Sequence, residues 1–278
     1  MGLGNFLIVA ATLVSAKEAL AQEVVQTKHT EKTWGLSLTA SLSETPIESS
    51  SVDHYRQYGL ALVTSFRPSF PTTSWLKDPL LSAKFSYVDE IGYEDNNSNF
   101  QNTKLSFTGV GFDFTDDLKL SSEFSSYLAT NDDSRKYYGF VGSIKIAPAL
   151  AYTTAIPGLT LSAGLGVSYS YYEFETNKGG VFNPESLYEV SFGIGYEIEP
   201  VTFNIGGSNS TVFLADGSKK DDIYSGHASI TYSQTDQLSY GLSLSKEDRT
   251  YGYDGLTPNL NFTYADQSLV TASVTYSL

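Results

Sequence analysis

The chain has 278 residues, 17% of them charged and 14% aromatic, with 20 tyrosines and no cysteine. Its formal net charge of −14 excludes a nucleic-acid partner, which needs a basic face, and the missing thiols exclude a disulfide framework or a thiolate metal site. Mean hydropathy is −0.17, as in a water-facing protein, yet charged residues fall below the ~25% usual for soluble domains.

Residues 6–16 form an apolar run too short to span a bilayer as a helix. Ala19-Leu20-Ala21 follows, a small-x-small site for signal peptidase. Residues 1–21 are therefore predicted to be a signal peptide cut before Gln22, and 22–32 a periplasmic segment ahead of the first strand. No later stretch approaches the ~18 consecutive apolar residues of a transmembrane helix.

Beyond that point apolar and small polar residues alternate, the period of a strand whose side chains face opposite sides in turn. Trp34, Leu36, Leu38, Ala40 and Leu42 form one apolar row; Tyr58, Leu60, Leu62 and Phe66 the next; then Leu81, Ala83, Phe85 and Tyr87. Leu105 and Phe107 are out of phase with Val110, Phe112 and Phe114, so a bulge is predicted between them, because one extra residue switches the face. Leu118, Leu120, Phe124 and Leu128 follow. Tyr138, Phe140, Ile144, Ile146, Leu150 and Tyr152 keep phase through Pro148 and predict one long strand. The row from Leu159 to Tyr171 is the cleanest, and Tyr188 to Ile198 and Val201 to Ile205 continue the pattern. Tyr224, Ala228, Ile230 and Tyr232 precede Leu238, Tyr240, Leu242 and Leu244.

The final row comprises Val270, Ala272, Val274, Tyr276 and Leu278, with hydroxyls at every position between. Leu260, Phe262 and Tyr264 share its parity, so 259–278 is predicted as one strand. Such a segment resembles the closing strand of a Gram-negative outer-membrane β-barrel, although those proteins most often end in an aromatic residue and this one in leucine. The resemblance implies an all-β fold, a transmembrane antiparallel up-and-down β-barrel over 33–278. The rows give about twelve strands, with ten or fourteen as alternatives, since such barrels have an even number. It also implies outer-membrane lipid and lipopolysaccharide as surroundings, and barrel-assembly machinery as a reader of the C-terminal strand.

Connections alternate in character. Those near 43–54, 89–102, 130–136, 175–186, 215–221 and 249–257 are long and carry Glu44, Glu48, Asp95, Asp132, Asp133, Asp216, Asp221, Asp222 and Asp254. Those near 115–117, 154–158, 199–200 and 234–236 are short, and 68–79 is a long exception on the short side. Long outer loops and short periplasmic turns place both termini in the periplasm. A secreted β-sandwich would also alternate, but it would show water a face rich in long charged side chains. Here that face is mostly Gly, Ser, Thr and Asn, which suits a confined interior.

With the apolar rows toward lipid, the other parity lines a lumen and carries Arg67, Lys84, Lys119, Glu123, Lys145, Glu189, Glu197 and His227. Acids and bases together in a confined space resemble the charged lining of diffusion porins. The resemblance implies passive passage of small polar solutes, without enzyme activity, cofactor or metal. The pairs Gly109/Gly111, Gly164/Gly166 and Gly193/Gly195 lack the helix and third glycine of a nucleotide loop, and read as relief where the wall curves or where large side chains cross the lumen. His227 and Ser229 share a strand face, as in the His-x-Ser of outer-membrane phospholipase A, but Ile230-Thr231-Tyr232 departs from that family's Asn-Gly continuation. Asp95, Asn97 and Asn99 imitate a calcium loop, yet Phe100 replaces its glycine and Ser106 its bidentate glutamate. His29 and His54 join no ligand cluster. The expected function is a porin-like channel. The alternatives are a non-transporting surface or structural protein acting through its acidic loops, and an outer-membrane hydrolase.

Overall fold

A computed structural model describes residues 33–45, 56–69, 73, 75–90, 98–249 and 268–278. The predicted signal peptide, the 22–32 segment, His29, His54, Glu48, Asp95, Asn97, Asp254 and residues 259–267 of the last predicted strand lie outside the described residues.

The strands, in chain order, are β1 (Trp34–Glu44), β2 (Arg56–Phe66), β3 (Leu76–Glu90), β4 (Ser98–Phe100), β5 (Thr103–Asp113), β6 (Leu118–Leu128), β7 (Phe140–Thr153), β8 (Leu159–Tyr172), β9 (Pro184–Ile198), β10 (Val201–Leu214), β11 (Ile223–Ser233), β12 (Leu238–Arg249) and β13 (Ser268–Ser277). One helix, α1 (Asp132–Tyr138), lies between β6 and β7. Chain neighbours pair antiparallel, and the β1–β13 and β2–β3 ladders close the sheet. β4 prolongs β5 along the same partner, since Phe100 faces Tyr87 and Leu105 faces Ala83 of β3. The segments therefore make a twelve-stave up-and-down barrel, as the rows predict. Closure satisfies the backbone N–H and C=O groups that lipid cannot.

The exposure pattern is that of a soluble protein turned inside out. On β8, Val167 is 47% exposed and Tyr169 40%, while Ser168 between them is 5% exposed. A soluble sheet would bury the valine and wet the serine. Exposed aromatic side chains gather toward both ends of this apolar face: Phe66, Tyr152 and Tyr276 near the short turns, Tyr58, Tyr171 and Tyr188 near the long loops. From Tyr58 to Phe66 a strand rises ~26 Å, or ~20 Å across the membrane at a tilt of ~40°. That is close to the ~25 Å apolar band of such barrels.

The predicted phase break is a bulge. Register shifts between Phe107 and Val110 on β5, and between Leu76 and Leu80 on β3. Gly109 has φ +99°, and a Cβ there would lie 2.6 Å from the Lys77 carbonyl oxygen and from Pro79 Cα. Only glycine fits this close approach of two irregular strands. Pro148 interrupts nothing on the β6 side, where it pairs in register with Ser122.

Three expectations fail. Tyr138, expected in a strand row, ends a helix within the β6–β7 connection. Asn131 caps α1, its Oδ1 accepting from Ser134 N at 2.7 Å, and Asp132 and Asp133 complement the helix dipole. Gly139, at φ 65°, closes the other end by donating to the Arg135 carbonyl. Phe140 is buried against Tyr172, with ring centroids 5.5 Å apart, because a register shift at Phe140/Gly142 leaves Val141 as the exposed residue. Tyr224, on a predicted lipid-facing row, is buried.

Polar side chains join the long loops to one another. Asn102 accepts from Asn131 N and donates to Ser134 Oγ. Asn131 Nδ2 donates to the Phe100 carbonyl at 2.8 Å. Asn183, 1% exposed, donates through Nδ2 to the carbonyls of Tyr138 and Phe174, both at 2.9 Å.

Candidate functional site: the inner wall

The inner positions divide into two sectors. On β12, β13 and β1 they carry only glycine, serine, threonine and Leu269 from Ser239 to Ser245, from Leu269 to Ser277 and from Gly35 to Ser43. Hydroxyls link neighbouring staves there, Thr39 to Thr275 at 2.9 Å and Ser43 to Thr271 at 2.8 Å. Serine and threonine keep the wall thin and present a donor and acceptors each.

The sector from β5 to β9 is charged. Lys104 Nζ meets Glu123 Oε1 at 2.6 Å, and both side chains are largely buried. Lys145 and Glu189, 8% and 7% exposed, approach at 3.8 Å. That distance exceeds the 2.7–2.9 Å of a charge-assisted hydrogen bond, so attraction without a shared proton holds this pair. Lys145 aligns with Ser168, while Glu189 aligns with Gly166. The lysine chain therefore crosses β8, and Gly166 makes the passage: a Cβ there would sit 3.2 Å from Lys145 Cε. Of the predicted glycine pairs, Gly166 makes room for a crossing side chain, and Gly206, outside those pairs, does the same beneath the His227 ring.

The structure thus brings Glu123, Lys145 and Glu189 together, and adds Lys104. Lys104 was invisible in the sequence because it precedes the β5 bulge, where the parity of its row is ambiguous. The other predicted residues stand apart. Lys84 lies on the inner face of β3, in register with Lys104 and Val63. Lys119 is exposed at the short-turn end of β6, opposite Asp113, which itself forms an ion pair with Lys77. Arg67 follows β2, its backbone N–H bonded to the Thr33 carbonyl at 2.8 Å. Glu197, near the short-turn end of β9, donates its N–H to the Gly158 carbonyl at 2.9 Å. His227 aligns with Gly206 and Ser245, and Ser229 with Asn204 and Ser243.

The interior is not all hydroxyl and glycine. Tyr127, Leu187 and Val212 also occupy inner positions and are buried. Leu187 and Val212 face each other across the β9–β10 ladder, whereas Tyr127 lies between Lys104 and Ser143.

At the long-loop end, acidic side chains have local partners. Asp132 binds Arg135 at 2.7 Å and Lys136 at 2.8 Å, and Lys136 first, then Arg135, holds its carboxyl below the usual range. Hydrogen bonds from Ser218 lower Asp216 in the same way. For Asp222, burial pushes the carboxyl up, but hydrogen bonds from Thr211 and Lys219 outweigh it and the net shift is downward. Among the described residues no group of three or more His, Asp or Glu is placed to hold a metal ion.

No family model matches this sequence, and no curated protein matches it in sequence. Solved structures do match its fold. An outer-membrane channel from Pseudomonas putida F1 superposes with a TM-score of 0.62 at 9% identity, covering 91% of this chain and 98% of that one. The NanC porin superposes with a TM-score of 0.53 at 11% identity, covering 87% of this chain and all of the other. Likeness at this identity concerns the fold. Together with the lipid-facing exterior, it makes the molecule a transmembrane β-barrel of the Gram-negative outer-membrane type.

Proposed function

We propose that the barrel is a passive channel for small polar solutes, with its long loops outside the cell and its short turns in the periplasm. The observation that carries this reading is the size of the closed sheet against the size of its inner side chains. Twelve staves ~4.8 Å apart and tilted ~40° close on a radius of ~12 Å. Serine, glycine and threonine on β12, β13 and β1 cannot fill such a bore, even with lysines and glutamates reaching in from β5 to β9. The names carried by the two structural neighbours, a porin and an outer-membrane channel, point the same way. In this reading Arg67, Lys119, Glu197 and His227 line the wider part, Lys84 stands beside Lys104 at the edge of the charged sector, and Glu123, Lys145 and Glu189 act as paired charges.

Pairing leaves little uncompensated field in the charged sector, so ion selectivity is weak. Folded protein in planar bilayers gives stepwise conductance with a reversal potential near zero in a salt gradient. Repeated failure of folded protein to conduct refutes the channel. A second reading, a surface protein working through its loops, is favoured by the Asn102–Asn131–Ser134 and Asn183 connections, which tie the described segments around 98–102, 130–139 and 173–183 together. Loss of cell-surface binding without change in conductance, after replacement of 174–182 by a short linker, supports that reading.

A further inference from the structure

From the inner wall we infer that the channel narrows toward its long-loop end, at one layer of side chains running from Ser125 to Val212, and that the Lys145–Glu189 contact across Gly166 holds that layer closed. The inference rests on the channel reading and adds to it where solute size is limited.

Inner side chains lose contact with solvent in the same direction on several staves. On β7, Thr153 is exposed, Ala151, Ala149 and Ala147 are half-buried, and Lys145 and Ser143 are buried. On β6 the sequence is Lys119 exposed, Ser121 and Glu123 half-buried, Ser125 and Tyr127 buried. β11 runs from exposed Ser233 through half-buried Thr231, Ser229 and His227 to buried Ser225. On β1, Ser37, Thr39 and Ser41 are half-buried and Ser43 is buried. A bore of constant width would leave these small residues equally wet along their staves. The gradient describes a vestibule open to the short-turn side.

The register shows where it ends. Ser125 aligns with Lys145, Lys145 with Ser168, Ser168 with Leu187 and Leu187 with Val212, one unbroken inner row over five staves. Every member is buried, Val212 at 2% exposure. The adjacent row includes Glu189, aligned with Ser210, which is 1% exposed. Lys145 leaves its own row to reach Glu189, so one ion pair ties the two rows together over the notch at Gly166. A serine facing open water has no such burial. The small side chains on this arc are covered, and the passage at that level is narrow.

The absence of cysteine allows a direct test in the full chain. Ser162 and Ser168 lie on the same inner face of β8, one half-buried and one buried. In folded protein in lipid, a charged methanethiosulfonate reagent supplied from the short-turn side is expected to modify Ser162→Cys ~100-fold faster than Ser168→Cys. Equal rates overturn the inference. The double variant Lys145→Ala, Glu189→Ala removes both charges and leaves neither alone. Its single-channel conductance is expected to rise about twofold, with larger neutral polymers admitted. Unchanged conductance and polymer limit remove the pair from the narrowing, and should that variant fail to fold, the cysteine pair still decides the narrowing itself. The two readings fail separately: unequal cysteine rates with no conductance sink the channel, whereas conductance with equal rates sinks the narrowing.

Discussion

Leu165→Arg tests the assignment of the outer face to lipid. Leu165 is 57% exposed and stands midway along β8, six residues from each end of the Leu159-to-Tyr171 row. Six residues at ~3.3 Å and a tilt of ~40° put it ~15 Å from either end of that row, near the bilayer centre. An arginine there costs ~2–4 kcal/mol in a membrane barrel. The same substitution on a water-facing surface stays within about 0.5 kcal/mol of neutral. At ~1.4 kcal/mol per tenfold, the first case lowers the folding equilibrium ~30- to 700-fold. Ile156 serves as the control, an equally exposed apolar residue at 55% in the turn between β7 and β8, where arginine costs only ~0–1 kcal/mol. Reversible urea unfolding in lipid vesicles, followed by tyrosine and tryptophan fluorescence, measures both. A Leu165→Arg cost below 0.5 kcal/mol, or one equal to that of Ile156→Arg, refutes the lipid-facing assignment and with it the transmembrane barrel.

Gly109→Ala meets the Lys77 and Pro79 backbones in a conformation that disfavours side chains, and is expected to destabilise by ~3 kcal/mol or more. Gly217→Ala, with positive φ but nothing within 4 Å, should cost ~1 kcal/mol, so equal unfolding midpoints contradict the account of the bulge. Asn183→Ala leaves the carbonyls of Tyr138 and Phe174 without these donors, at ~1–3 kcal/mol. Faster hydrogen exchange in α1 and 173–183, with the central staves unaffected, is the expected signature. The lowered carboxyl of Asp132 stabilises α1 above the ordinary carboxylate range, and this contribution disappears as pH falls through the lowered value. Hydrogen exchange in α1 should therefore accelerate in acid in the natural protein but change less in Asp132→Asn.

Side-chain alternation is a local property, because a trans backbone in extended form sends each residue opposite to the last. Residues such as Val167, Ser168 and Tyr169 therefore declare their faces in the sequence alone, and so does the loss of phase between Phe107 and Val110. The strand set, its closure by even count and its lipid face were legible for this reason. Helix α1 was not, since seven residues between caps carry too little periodicity to stand out from a polar loop. Nor could the sequence tell which inner residues meet. Lys104 finds Glu123, and Lys145 crosses β8 to Glu189, only because the pairing of staves brings together side chains 19 and 44 residues apart. Alternation says which way a side chain points; closure of the barrel decides what it points at.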